Sequence, residues 1–183
     1  MRRRTAVAML ATLPFGVGSS PAFAASPAFA ASQAEVLAAA EFSDPQNAVH
    51  RLNELSRPLL LVNLWAAWCA GCLAELPTIR AMTSRLGPDA VDVVLLSHAM
   101  NWRGDLAYAR ESGLPFRHWR LSARSTETIV AAAFRIEDDR FGLPQSLVFA
   151  GRKRALVASH LGSRDWAAPA QIRQAQGWLD AAG

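Results

Sequence analysis

Residues 59–77 read LLLVNLWAAWCAGCLAELP, and the order of this stretch decides how the rest of the chain is read. The run Leu59–Trp65 is apolar apart from Asn63 and is bounded by Pro58 and the cysteine segment. Its length suits a strand buried on both faces, as a central parallel strand is. After Cys72 the apolar positions Leu73, Leu76, Ile79 and Met82 take up helical spacing towards Leu86, and Gly87-Pro88 ends the pattern. Pro77 falls inside that helix, where its ring and missing N–H predict a kink. Cys69 and Cys72, the only two cysteines in the chain, therefore lie between a buried strand and a helix start.

That placement carries chemistry. Helical residues three apart differ by about 4.5 Å of axial rise and lie on adjacent faces. Such spacing brings the Cα atoms near the range a disulfide requires. Cys69 stands by the unpaired N–H groups of the helix start, where the positive end of the dipole stabilises a thiolate. The pair can attack a substrate disulfide through Cys69 and resolve the mixed disulfide through Cys72. Structural zinc needs four ligands, and His50, His98, His118 and His160 stand at no finger spacing from the pair. Haem attachment needs His directly after the second Cys, where this chain has Leu73. A structural disulfide closing so short a loop would constrain the unfolded chain very little.

Outward from this segment, the residues predict an alternation of strands and helices. Ala90–Ser97 reads as a second apolar strand, residues 104–112 as a helix closed by Gly113, and residues 118–122 as a short strand. Ser125 caps a predicted helix through Ile136, with Glu127 in its first turn. Gln145–Phe149 and Arg154–His160 read as a hairpin about Gly151, and Ile172, Ala175 and Leu179 form a helical stripe. Upstream, Asp44 before Pro45 predicts a helix over residues 46–55, and the alanine-rich stretch 31–42 is a short helix or a tail. The order implies an α/β fold, a mixed central sheet with helices on both faces.

The chain has 183 residues, 51% of them hydrophobic and 19% charged, which excludes intrinsic disorder and suits one domain. Its formal charge of +4 would suggest nucleic acid as a partner, but the N-terminus alters that sum. Arg2, Arg3 and Arg4 precede an apolar run from Thr5 to Val17 and the small-residue site Ala22-Phe23-Ala24. These are the three regions of a secretory signal peptide, residues 1–24, with a second cleavage site as late as Ala30 because SPAFAA occurs twice. An uncleaved anchor is the alternative, although the run is short and broken by Pro14 and Gly16. Removing 24 of 183 residues leaves 159, and removing three of 19 basic residues leaves 16 against 15 acidic, a net +1. Nucleic acid then drops out as a partner. Export places the remaining domain, residues 31–183, where thiols can persist as disulfides, in the periplasm.

The segment LVNLWAAWCAGCLAELP, residues 61–77, resembles the active-site segment of TlpA/ResA-type periplasmic thioredoxins, whose pattern is VNFWAxWCxPCxxExP. FGLPQSLVF, residues 141–149, resembles their Gly-x-Pro-Thr-x-Phe loop. The two motifs bracket most of residues 59–162. The resemblance implies a thioredoxin-like fold and an exported thiol–disulfide oxidoreductase with no bound cofactor and no metal. Its partners would be a disulfide-containing client protein, in cytochrome c maturation or a similar pathway, and a membrane thiol carrier that donates electrons. Membrane contact would come only through that partner or an uncleaved signal. Cys69 matches the nucleophile and Cys72 the resolving thiol. Pro144, with Leu143 before it, matches the cis-proline loop that pairs with an extended substrate segment, and Trp68 shields one side of the disulfide. Glu75 matches a family glutamate that exchanges the Cys72 proton, against its alternative as a solvated helix residue. Asn63 occupies the place of a buried aspartate in cytoplasmic thioredoxins and cannot exchange protons itself.

Gly71 departs from the pattern, which has proline before the second Cys. The dipeptide between the cysteines tunes relative thiolate stability, so a thiol oxidant remains an alternative to a reductant. A copper-binding thioredoxin-like carrier using Cys69, Cys72 and His98 is a third reading.

Overall fold

The computed structural model describes residues 35, 37–97, 102–121 and 142–182. The expected signal peptide, the helix over residues 125–136 and His98 lie outside the described residues. The elements run β1 (Glu41–Ser43), β2 (Val49–Arg51), a 3-10 turn (Leu52–Glu54), β3 (Leu59–Trp65), α1 (Ala70–Leu86), β4 (Val91–Ser97) and α2 (Trp102–Glu111). After these come β5 (Arg117–Leu121), β6 (Gln145–Ala150), β7 (Ala155–Leu161) and α3 (Pro169–Ala182).

The strands form one mixed sheet in the order β2-β1-β5-β4-β3-β6-β7. Strand β3 runs parallel to β4 and antiparallel to β6, and β4 runs parallel to β5. All seven residues of β3 are buried, as are all seven of β4. Alternate side chains of β3 therefore serve two cores. Leu59, Leu61 and Trp65 pack with Leu76, Ile79 and Met82 of α1 and Ala175 of α3, and Tyr108 and Ala109 of α2 join that face. Leu60, Val62 and Leu64 face Val94, Leu96, Phe149 and Trp119, covered by Leu37 and by Leu52 of the 3-10 turn. Each of these large apolar side chains contributes about 1.5–3 kcal/mol relative to exposure. Burial this complete leaves Asn63, the polar exception in β3, obliged to find partners within the protein.

Helix α1 begins at Cys69, whose Sγ accepts the Cys72 backbone N–H at 3.1 Å, and ends at Gly87, whose φ of 102° takes the chain out of helical geometry. It continues through Pro77 as one element. Helix α3 starts with Pro169 at its first helical position, where the missing N–H costs nothing.

The helix expected over residues 46–55 is instead the β1–β2 hairpin and the 3-10 turn. Asp44 does act as a side-chain cap, but of a turn: its Oδ1 accepts the N–H groups of Gln46 and Ala48, both at 2.9 Å. Asn47 adopts φ 64°, which breaks helical continuation, and Val49–Arg51 then pairs back on Glu41–Ser43. Asp followed by Pro starts turns and helices with the same hydrogen bond, so the local signal did not separate them. A smaller difference lies in the second hairpin, where Arg154 sits in the turn at φ 52° and not in the strand. Its buried guanidinium donates to the carbonyl oxygens of Leu55 and Arg57.

Candidate active site

Strand β3 ends at Trp65, and a short turn delivers Cys69 to the amino end of α1. The turn is fixed from two sides: the Cys69 N–H donates to the Ala66 carbonyl at 3.1 Å, and the Ala67 N–H donates to Asp105 of α2 at 2.7 Å. Cys69 and Cys72 are joined by a disulfide with Cα atoms 5.2 Å apart. The two cysteines are not equally buried. Cys69 retains 8% of its surface, whereas Cys72 retains none. The Cys69 sulfur also receives the Cys72 N–H, so a thiolate there would meet a helix-start donor and the positive end of the α1 dipole.

The loop before β6 comes to this turn from the neighbouring strand, whose start pairs with the end of β3. The Leu143–Pro144 peptide is cis, and Pro144 is buried. A Cβ placed on Gly71 would lie 3.5 Å from Pro144 Cδ and 3.6 Å from Ser163 Cβ, so the loop rests directly on the cysteine turn. The loop is held by the Gly162 N–H on the Pro144 carbonyl and by the Gln145 amide on the Gly142 carbonyl, both at 2.9 Å. Leu143 is half-buried between the two cores. Trp68, immediately before Cys69, is 64% exposed, an unusual position for so large an apolar ring.

One turn into α1, Glu75 points into the protein and is 1% exposed. Its Oε1 accepts the indole N–H of Trp166, and its Oε2 accepts the Asn63 amide at 3.4 Å. That amide also donates to the Ser146 hydroxyl at 2.8 Å, across a pair of residues in register on β3 and β6. Burial pushes the Glu75 carboxyl up to about 7, against the opposing effects of the Trp166 and Asn63 hydrogen bonds and the Arg164 charge. A carboxyl with that affinity exchanges a proton readily near neutral pH. It stands on the same helix as Cys72, three residues on, and both side chains are buried.

The structure thus brings Cys69, Cys72, Pro144 and Trp68 to one end of β3 and buries Glu75 one helical turn below. Glu75 is not a solvated helix residue. Asn63 is buried and makes side-chain hydrogen bonds to Ser146 and Glu75. Two residues of this network are absent from the sequence reading. Ser146 had a usable signal, a polar residue facing Asn63 in a second apolar strand. Trp166 had none, because it lies 91 residues from Glu75 and reads as one more packing aromatic.

No family model matches the chain. Among solved structures, the thioredoxin domain of a thiol-disulfide oxidoreductase from Bacteroides vulgatus is 14% identical with a TM-score of 0.60, covering 76% of this chain and 91% of that one. A thioredoxin-related protein from Neisseria meningitidis serogroup B is 18% identical with a TM-score of 0.58, covering 75% of this chain and 99% of that one. StoA from Bacillus subtilis is 13% identical with a TM-score of 0.52, covering 75% of this chain and 93% of that one. The fold is thioredoxin-like.

Proposed function

We propose that the protein is a thiol–disulfide oxidoreductase that reduces disulfides of client proteins outside the cytoplasm. The observation that carries this reading is the Cys69–Cys72 disulfide at the amino end of α1, with Cys69 keeping 8% of its surface and Cys72 none. In the reduced protein the Cys69 thiolate attacks one sulfur of a client disulfide, forming a mixed disulfide and releasing the first client thiolate. Cys72 then loses its proton to the Glu75 carboxylate and attacks the Cys69 sulfur. The second client thiolate leaves, and the Cys69–Cys72 disulfide reforms. Two electrons have passed to the client, and a partner dithiol must return them. No bound cofactor takes part.

The remaining residues have roles in client binding. Trp68 and the Leu143–Pro144 loop flank Cys69 and would hold an extended client segment against it. A thiolate of Cys69 is stabilised by the helix start, whereas Cys72, fully buried, needs a local base. The buried Glu75 carboxyl, three residues on in the same helix, supports its assignment as that base.

Export is supported by the arginine, apolar and small-residue order of residues 1–24. It places the client disulfides where such bonds persist. A membrane thiol carrier is the proposed electron donor, and cytochrome c maturation the proposed pathway, both on the sequence resemblance. No helix among the described residues is long and apolar enough to cross a membrane.

The central test is reduction of insulin by the dithiol form of wild type, Cys69→Ser and Cys72→Ser. Cys69→Ser is expected to lose the activity, and Cys72→Ser to accumulate a covalent mixed disulfide visible by mass spectrometry. An active wild type with both variants equally active would refute the exchange mechanism. Equilibration with glutathione fixes the direction of electron flow: a reductant lies at about −270 mV and an oxidant at about −120 mV.

A further inference from the structure

We propose that Trp166 is the positioning residue for Glu75: its indole N–H fixes the carboxyl one turn below the dithiol and sets how readily that carboxyl gives up its proton. The proposal rests on the reading of Glu75 as the proton partner of Cys72, and it adds a residue from the far end of the chain to that pair.

The indole is delivered by a segment clamped to α1. The Trp166 backbone N–H donates to Thr78 Oγ1 at 3.0 Å. The Thr78 hydroxyl bonds in turn to the carbonyl oxygens of Glu75 at 2.8 Å and Arg164 at 3.2 Å. Two turns on, Arg85 donates to the Ala167 carbonyl at 2.6 Å. The ring itself is 2% exposed, with the His160 ring edge-on at 5.4 Å and the Arg164 guanidinium over it at 5.8 Å. Backbone anchors on the same helix that carries Glu75 leave the indole little freedom, so its N–H is pre-aimed at Oε1.

The chemistry of the donor decides what it does. An indole N–H donates and never accepts, so it favours the ionised carboxylate over the acid. Burial acts in the opposite direction. The groups acting on the carboxyl are Asn63 from β3, Ser146 from β6, and Trp166 and Arg164 from the segment before α3, with Cys72 three residues back on its own helix. His160 of β7 reaches it only through the indole. Trp166 and Asn63 donate to different oxygens, Asn63 shares its amide with Ser146, and the Ser146 hydroxyl acts on the carboxyl more weakly than either; of these donors the indole has the largest effect.

The experiment follows the Glu75 carboxyl by carbon-13 NMR in the full oxidised protein, where neither cysteine titrates, for wild type and Trp166→Phe. Phenylalanine retains the ring packing and removes the N–H. The midpoint is expected to rise by about one pH unit, the scale of one charge-assisted hydrogen bond. In the reduced protein, the pH profile of insulin reduction should move the same way. A Glu75 midpoint unmoved by Trp166→Phe overturns the proposal. Should that variant not fold, wild type decides: the Trp166 indole N–H resonance must titrate with the Glu75 midpoint and lose that titration in Glu75→Gln, and a flat resonance overturns the proposal equally. Failure of the underlying reading looks different. There the Glu75 midpoint shifts in Trp166→Phe while Glu75→Gln exchanges disulfides as fast as wild type.

Discussion

At the amino end of the central strands Asp92 is buried between arginines, whereas at the carboxyl end Glu75 is buried as deeply against an indole and an amide. Asp92 Oδ1 accepts from Arg57 at 3.1 Å and from Arg117 at 2.8 Å, and its Oδ2 accepts the Arg57 backbone N–H at 3.1 Å. Glu75 accepts the neutral Trp166 and Asn63 donors, with Ser146 and the Arg164 charge acting in the same direction, yet burial raises its carboxyl to about 7. Both acids are removed from water, which penalises the charged form. Guanidinium charge offsets that penalty at one end and leaves a structural clamp over the starts of β4 and β5. At the other end the neutral donors and the Arg164 charge offset it only partly, and the carboxyl keeps a raised proton affinity. Burial alone does not set a carboxyl's proton affinity; whether charged groups bond to it directly matters as much.

The largest test of this contrast is Glu75→Gln, read as stability against pH. The folded carboxyl sits at about 7 against an ordinary 4.5, so the folded state holds the proton more tightly than the unfolded chain does. Stability is therefore unpenalised below pH 4.5 and falls as pH rises through about 7. The full penalty above that pH is about 3 kcal/mol. Denaturant melts should show Glu75→Gln flattening this dependence and gaining most over wild type at pH 8, while its disulfide exchange slows by about 10²-fold. A wild type whose stability does not vary between pH 4 and 8 would remove the contrast.

Asp92→Asn should behave in the opposite sense, losing about 1–3 kcal/mol at pH 7 with insulin reduction intact. The loss stays at this size because Arg57 and Arg117 are 35% and 43% exposed and can turn to solvent. Loss of exchange activity with a retained fold would show the two ends to be coupled. The smallest effect expected is from Gly71→Ala. Its Cβ would make ordinary contacts with Pro144 and Ser163, so the helix start should gain about 0.5 kcal/mol in a thermal melt. A loss instead would show that the cis-proline loop needs the bare backbone there.

Much of this site was legible in the sequence because its parts are close along the chain. The change from a strand-length apolar run to helical spacing at Cys72 placed the dithiol, and the resemblance added Glu75 and Pro144. The hairpin at Asp44 was not legible, since a carboxylate accepting nearby N–H groups serves a turn and a helix start equally. The choice fell to Asn47 and to the pairing of Val49–Arg51 with Glu41–Ser43. Gly71 was visible as a departure, but only the packed structure shows that it faces Pro144.

The sequence by itself determined the strand, the dithiol and the helix that follows, because hydrophobic periodicity and helix-start chemistry act over a few residues. It also named Glu75 without deciding whether that carboxyl meets solvent. Tertiary structure decided this, by closing α1 onto the sheet and bringing Trp166 to its Oε1 from 91 residues away. Proton affinity depends on what surrounds a group in three dimensions, and sequence spacing does not carry that information.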